Sequence, residues 1–113
     1  MKYRFKIWSE VENRPLLGPG RYRLLSALRQ TGSINAAASD TGISYRRAWA
    51  QIREMESLLG HPLIVSNRGG TSGGGTELTP EALRLIQQYE KLCRKLEKAV
   101  YKEETAAFDK RFL

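Results

Sequence analysis

The sequence predicts a mainly α-helical single domain with a small β component, and three observations predict it. Apolar residues recur at helical spacing in four separate windows. Glycine or proline marks the boundaries between those windows. Only the N-terminus and the stretch around residues 62–78 suggest strands. At 113 residues the chain is sized for one core, and such a domain buries about two-thirds of its unfolded surface. Hydrophobic residues make up 41%, which suits a packed interior rather than a disordered tail.

The elements follow in order. "KYRFKIW" places Tyr3, Phe5 and Ile7 on one side and Lys2, Arg4 and Lys6 on the other, the period of a half-buried strand. "NRPLLGPG" reads as a turn with a short returning strand at Leu16 and Leu17. Tyr22, Leu24, Leu25 and Leu28 give a first helix from about Arg21 to Gln30, stopped by Thr31-Gly32. Ser33 is placed to cap a second helix with the small apolar face Ile34, Ala37 and Ala38, and Gly42 ends it. Ser44 caps a third helix, Tyr45 to Leu59, with Ala48, Ile52, Met55 and Leu59 as its inward stripe. After Gly60, "HPLIVSN" reads as a strand and Glu77-Leu78 as another. Thr79-Pro80-Glu81 opens a last helix that runs to about Thr105.

Two short helices around a glycine turn form a helix-turn-helix over residues 33–60. The outward face of its second helix carries Arg46, Ala50 and Arg53, flanked by Ser44, Tyr45 and Trp49. From Ser44 to Arg53 there are three arginines and no acid. The N-terminal end of a recognition helix is where base edges are met. The guanidinium forks of Arg46 and Arg53 fit guanine O6/N7 or phosphate. Ser33 and Ser44, with nearby backbone N–H groups, suit phosphate oxygens. Arg47 reads as a phosphate contact or a solvated flank. For Trp49, packing between helices and lining the DNA face both stay open. The net charge of +7 agrees with a polyanionic partner, although solubility alone would account for it.

The glycine segment "RGGTSGGGTELTP" sits between strand signals inside this small domain, which identifies it as the tip of a β-hairpin wing over residues 62–78. It lacks the G-x-x-x-x-G-K-[ST] pattern of a phosphate-cradling loop. Arg68, Thr71, Ser72 and Thr76 are its candidate contacts to sugar-phosphate or a minor groove. The expected architecture is therefore a winged helix-turn-helix with an N-terminal strand and a long C-terminal helix over 80–105. That helix carries Leu85, Ile86, Tyr89, Leu92, Cys93, Leu96 and Val100 on one stripe, too long for a small domain to cover, so a homodimer is expected through it.

"GPGRYRLLSALRQTGSINAAASDTGISYRRAWAQIREMESLLGHPLI", followed by "GGGTELTP", resembles the N-terminal DNA-binding domain of the ModE family. These are molybdate-responsive transcriptional regulators with a LysR-type winged helix-turn-helix. The resemblance runs from "FKIW" to about residue 100. It implies that Ser44, Tyr45, Arg46, Arg47, Ala50 and Arg53 match the recognition helix and residues 68–76 the wing. It also implies dimers joined through the last helix and the N-terminal strand. Full-length members carry C-terminal molybdate-binding domains, whereas this sequence stops at "AFDKRFL". The expectation is a single module over 1–113 without such a domain and without a cofactor, acting alone, with a separate sensor protein, or with a ligand at a site the sequence does not mark.

The resulting expectation is a sequence-specific regulator that binds a pseudo-palindromic site in double-stranded DNA. A protein-docking module with little duplex affinity is the alternative. Enzyme activity has no support, because no nucleophile–base pair or metal-ligand cluster stands out. His61 reads as a turn residue, Cys93 as a small buried hydrophobe, and Trp8 as packed in the strand or interface. A single cysteine, no apolar leader and no run of about 18 apolar residues point to the cytoplasm and away from membranes.

Overall fold

The computed structural model describes residues 2–67 and 75–107, the last two by backbone alone. The order is β1 (Ser9–Val11), β2 (Arg14–Leu17), α1 (Pro19–Thr31), α2 (Ile34–Thr41), α3 (Tyr45–Leu59), β3 (Ile64–Asn67), β4 (Gly75–Leu78) and α4 (Pro80–Ala107). Two antiparallel hairpins, β1-β2 and β3-β4, flank the helices.

The N-terminus departs from the sequence expectation. Residues 2–8 form no ladder, and the first strand is Ser9–Val11. It pairs with Arg14–Leu17 through a turn in which Glu12 (φ 52°) and Asn13 (φ 65°) are both left-handed, the geometry that matches strand twist in a two-residue hairpin. The reason is hydrogen bonding. A strand needs a neighbouring edge, and residues 2–7 are pinned on α4 instead. The Tyr3 N–H donates to Glu104 Oε1 at 2.8 Å, and the Tyr89 hydroxyl donates to the Ile7 carbonyl at 2.9 Å. Tyr3 and Phe5 stay about half exposed, at 51% and 44%.

The helices follow the caps. Pro19 occupies the first turn of α1, where its missing N–H costs nothing, so α1 starts before Arg21. Gly32 ends it in the left-handed region (φ 69°), its N–H bonded to the Leu28 carbonyl at 2.9 Å. The Ser33 hydroxyl accepts from the Ala36 N–H and the Ser44 hydroxyl from the Arg47 N–H, both at 3.1 Å, fixing the starts of α2 and α3. Leu24, Leu25, Leu28, Ala37, Ala48, Ile52 and Met55 form the buried centre. Ala37 and Ala48, both without exposed surface, are small enough for the helices to approach closely.

The wing is anchored at its base. β3 and β4 pair from Ile64↔Leu78 to Asn67↔Gly75. The Thr76 N–H donates to the Gly32 carbonyl at 2.8 Å, tying the wing to the α1–α2 turn. A Cβ on Gly75 would lie 3.3 Å from that carbonyl oxygen, so the close approach favours glycine. Thr79 is buried; its hydroxyl donates to the Pro62 carbonyl at 2.8 Å and accepts from the Ala82 N–H at 3.2 Å. One side chain thereby caps α4 and closes the wing. The 28 residues of α4 span about 42 Å. Ala82 and Ile86 root it in the core. The radius of gyration is 17.6 Å, against about 13 Å for a compact chain of this length, because the distal half of α4 projects.

Candidate nucleic-acid interface

Burial on α3 follows the predicted stripe. Ala48, Ile52 and Met55 are buried, and Leu59 packs partly against them. Tyr45, Arg46, Arg47, Ala50 and Arg53 are exposed, so these five expected site residues share the open side of one helix. Ser44 and Ser33 stand at the starts of α3 and α2. Each hydroxyl serves its helix as an acceptor and keeps its own proton to donate.

Trp49 sits half-buried at the edge of that open side. It packs partly against the core and also lies on a ridge with Tyr45 and Arg53. Its ring meets the Tyr45 ring edge-on, with centroids 6.3 Å apart. The Arg53 guanidinium carbon sits 4.8 Å from the Trp49 centroid, within cation–π reach. Arg53 also donates to Glu56 Oε1 at 2.8 Å.

The acids of α3 are engaged with other groups. Glu54 faces β2, paired with Arg21 at 2.9 Å and Arg14 at 3.7 Å. Arg21 also donates to the Pro15 and Leu16 carbonyls, both at 3.0 Å. Glu56 accepts from Arg53 and from the Leu63 N–H, each at 2.8 Å. The open side from Ser44 to Arg53 therefore presents only positive charge. The Arg53–Glu56 pair was legible as an i, i+3 spacing. The contact to Leu63 was not, because it depends on the path taken after Gly60.

The wing candidates are placed unevenly. Thr76 is half-buried beside the α1–α2 turn. Arg68, Thr71 and Ser72 lie outside the described residues.

The seven residues expected on the α4 stripe divide. Ile86 is fully buried in the chain's own core, and Leu85 and Tyr89 pack against that core. Cys93 and Val100 line a groove of about 680 Å³ beneath residues 2–7. Leu92 is 45% exposed, and Leu96 is half-buried outside the groove lining. Periodicity marked the apolar face without distinguishing cover by the same chain from cover by another.

A polar clasp joins α1 to α4. Glu90 accepts from the Tyr22 hydroxyl and, at 3.2 Å, from Arg29. The Tyr22 hydrogen bond and the Arg29 guanidinium hold the Glu90 carboxyl below its ordinary value. The same bond to Glu90, with burial, raises the Tyr22 phenol. Burial, reinforced by Cys93, pushes Tyr89 up to about 12. The Tyr22 and Tyr89 ring centroids are 5.2 Å apart.

The family model described as bacterial regulatory helix-turn-helix protein, lysR family, matches residues 20–83, more than half of the chain. The transcriptional regulator ModE of Haemophilus influenzae is 41% identical over 92 residues, which are 81% of this chain and 36% of that protein. The DNA-binding transcriptional dual regulator ModE of Escherichia coli is 40% identical over 90 residues, 80% of this chain and 34% of that protein. The chain thus spans about a third of the length of these curated relatives. A solved complex described as BenM_DBD/benA site 1 DNA is 25% identical with a TM-score of 0.56, covering 77% of this chain and 92% of that one. The matched residues run from α1 through the wing into α4, and the chain belongs to the lysR family of bacterial regulatory helix-turn-helix proteins.

Proposed function

We propose that this chain is the double-stranded DNA-binding module of a ModE-like transcriptional regulator. One observation carries the reading: the open side of α3 holds Arg46, Arg47 and Arg53 without an acid between Ser44 and Arg53, while Glu54 and Glu56 are engaged elsewhere. The names of the ModE relatives and of the DNA-bound solved structure support it.

In this reading α3 enters the major groove. Arg46 and Arg53 meet base edges, with Tyr45, Trp49 and Ala50 shaping the same surface. Arg47, Ser33 and Ser44 hold phosphates. The wing, through Arg68, Thr71, Ser72 and Thr76, follows the adjacent backbone or minor groove. The module binds rather than catalyses, and it works in the cytoplasm alongside the chromosome. No helix among the described residues is long and apolar enough to cross a membrane.

Two copies related by a twofold axis would read a pseudo-palindrome, with recognition helices roughly 34 Å or a multiple apart. Leu92 and Leu96, with the half-exposed Tyr3 and Phe5, are apolar groups available to such a partner.

A fluorescence-anisotropy titration against a pool of short duplexes at two salt concentrations tests the reading. Binding should weaken steeply as salt rises, by release of counterions from neutralised phosphates. Absence of duplex affinity even in dilute salt would favour a protein-docking module. Repeating the titration with molybdate reports whether a separate sensor protein has to be sought.

A further inference from the structure

Glu56 lies where the recognition helix meets the wing, and both of its carboxylate oxygens are engaged. Oε1 accepts from the Arg53 guanidinium and Oε2 from the Leu63 N–H, each at 2.8 Å. Its side chain is only 11% exposed, whereas that of Arg53 is 65% exposed. The Glu56 backbone carbonyl also accepts the Gly60 N–H at 2.8 Å, closing the end of α3. On its other side Arg53 lies over Trp49 at 4.8 Å, and Trp49 is braced by Tyr45.

A free arginine on a basic helix has many rotamers and is drawn to whichever phosphate is near. Here the Trp49 ring at 4.8 Å and the Glu56 carboxylate at 2.8 Å restrict the guanidinium, while the side chain stays 65% exposed. Such preorganisation favours bidentate contact with one base edge, because less freedom is lost on binding. The paired carboxylate also offsets part of the arginine's general attraction to phosphate. Both effects trade non-specific affinity for discrimination.

Resting on the DNA-binding reading above, we infer that Glu56 is a positioning residue for base recognition: it aims Arg53 and couples that aim to the root of the wing. The partner is a guanine-bearing base pair in the half-site, since a guanidinium fork matches the two acceptors on the major-groove edge of guanine.

Glu56→Gln separates this role from structural support. The amide carbonyl can still accept the Leu63 N–H, but the amide nitrogen then presents a donor to the Arg53 guanidinium. Duplexes would be selected from a random pool with the unaltered full chain. The unaltered chain, Glu56→Gln, Arg53→Ala and the double variant would then be titrated against the selected duplex and each of its single-base-pair substitutions. The expected result is about a tenfold loss of discrimination in Glu56→Gln, confined to the positions that Arg53→Ala also loses. Affinity for unselected duplex should rise a few-fold as one negative charge is removed. The double variant should discriminate no worse than Arg53→Ala alone. Unchanged discrimination in Glu56→Gln overturns the inference. So does a uniform loss over all duplexes accompanied by a lower melting temperature, which would make Glu56 a structural support only. If the unaltered chain selects no duplex at all, the DNA-binding reading fails and takes this one with it.

Discussion

Arg46 and Arg53 are exposed on the same side of α3, yet their settings differ. Arg53 lies over the Trp49 ring and is ion-paired to Glu56; among the described contacts Arg46 has no such partner. Replacing either by alanine should weaken binding by about 1–3 kcal/mol if it reads a base, with relaxed preference at one position. Titration against single-substituted duplexes measures this, and unchanged affinity in both variants would move the interface to another face. The clasp of Tyr22, Arg29 and Glu90 makes a separate prediction about stability. Because the Glu90 carboxyl is held below its ordinary value, its contribution is present above the ordinary carboxylate range and lost as pH falls through the lowered value. Glu90→Gln should therefore flatten the acid limb of a melting-temperature profile. Tyr89 behaves in the opposite sense. Its phenol is raised from 10.0 to about 12, so its contribution is intact below pH 10 and lost between that value and about 12. At this scale the exposed arginines could be read from helical spacing alone. The partners of Arg21 and Tyr22 could not, because each pair spans two helices whose relative placement is set by tertiary packing.

The elements show what local chemistry can specify. Ser33 and Ser44 were recognisable as caps because a hydroxyl two or three residues before a helical N–H satisfies it in any context. Gly32, Gly42 and Gly60 all adopt left-handed φ values of 69°, 73° and 71°, so the helix ends fell where the sequence placed them. The N-terminal strand failed for the complementary reason. Alternation identifies which side chains would share a face, but only a neighbouring edge makes a strand, and residues 2–7 contact α4 instead. The hairpin formed one step later, where Glu12-Asn13 can turn. Thr79 tests the idea that caps also organise tertiary structure. Thr79→Ala removes both the α4 cap and the bond to Pro62, so it should cost about 1–2 kcal/mol in chemical denaturation. Thr79→Ser should recover most of that loss. A cost no larger for alanine than for serine would mean that the wing is held without this hydroxyl.

On the scale of the whole molecule, a compact helix-turn-helix and wing carry a projecting α4 whose distal apolar groups have little cover. Leu92 at 45% and Tyr101 at 71% exposure are large side chains left beyond the core. In the proposed dimer a partner covers that region. Leu92→Glu combined with Leu96→Glu should shift the sedimenting species from dimer to monomer. It should also lower affinity for a complete pseudo-palindrome by roughly 100-fold, the advantage lost when two linked half-sites are bound separately. Persistence of the dimer would assign association to the N-terminal segment and the groove beneath it. In the proposed function the open side of α3 meets DNA. The most direct test is to follow backbone amide and arginine side-chain NMR signals of the chain as a selected duplex is added. The largest changes should run from Ser44 to Arg53 and through the wing, with α4 beyond Leu92 responding little. Changes concentrated on the β1-β2 hairpin or on α4, with Ser44 to Arg53 unmoved, would contradict it.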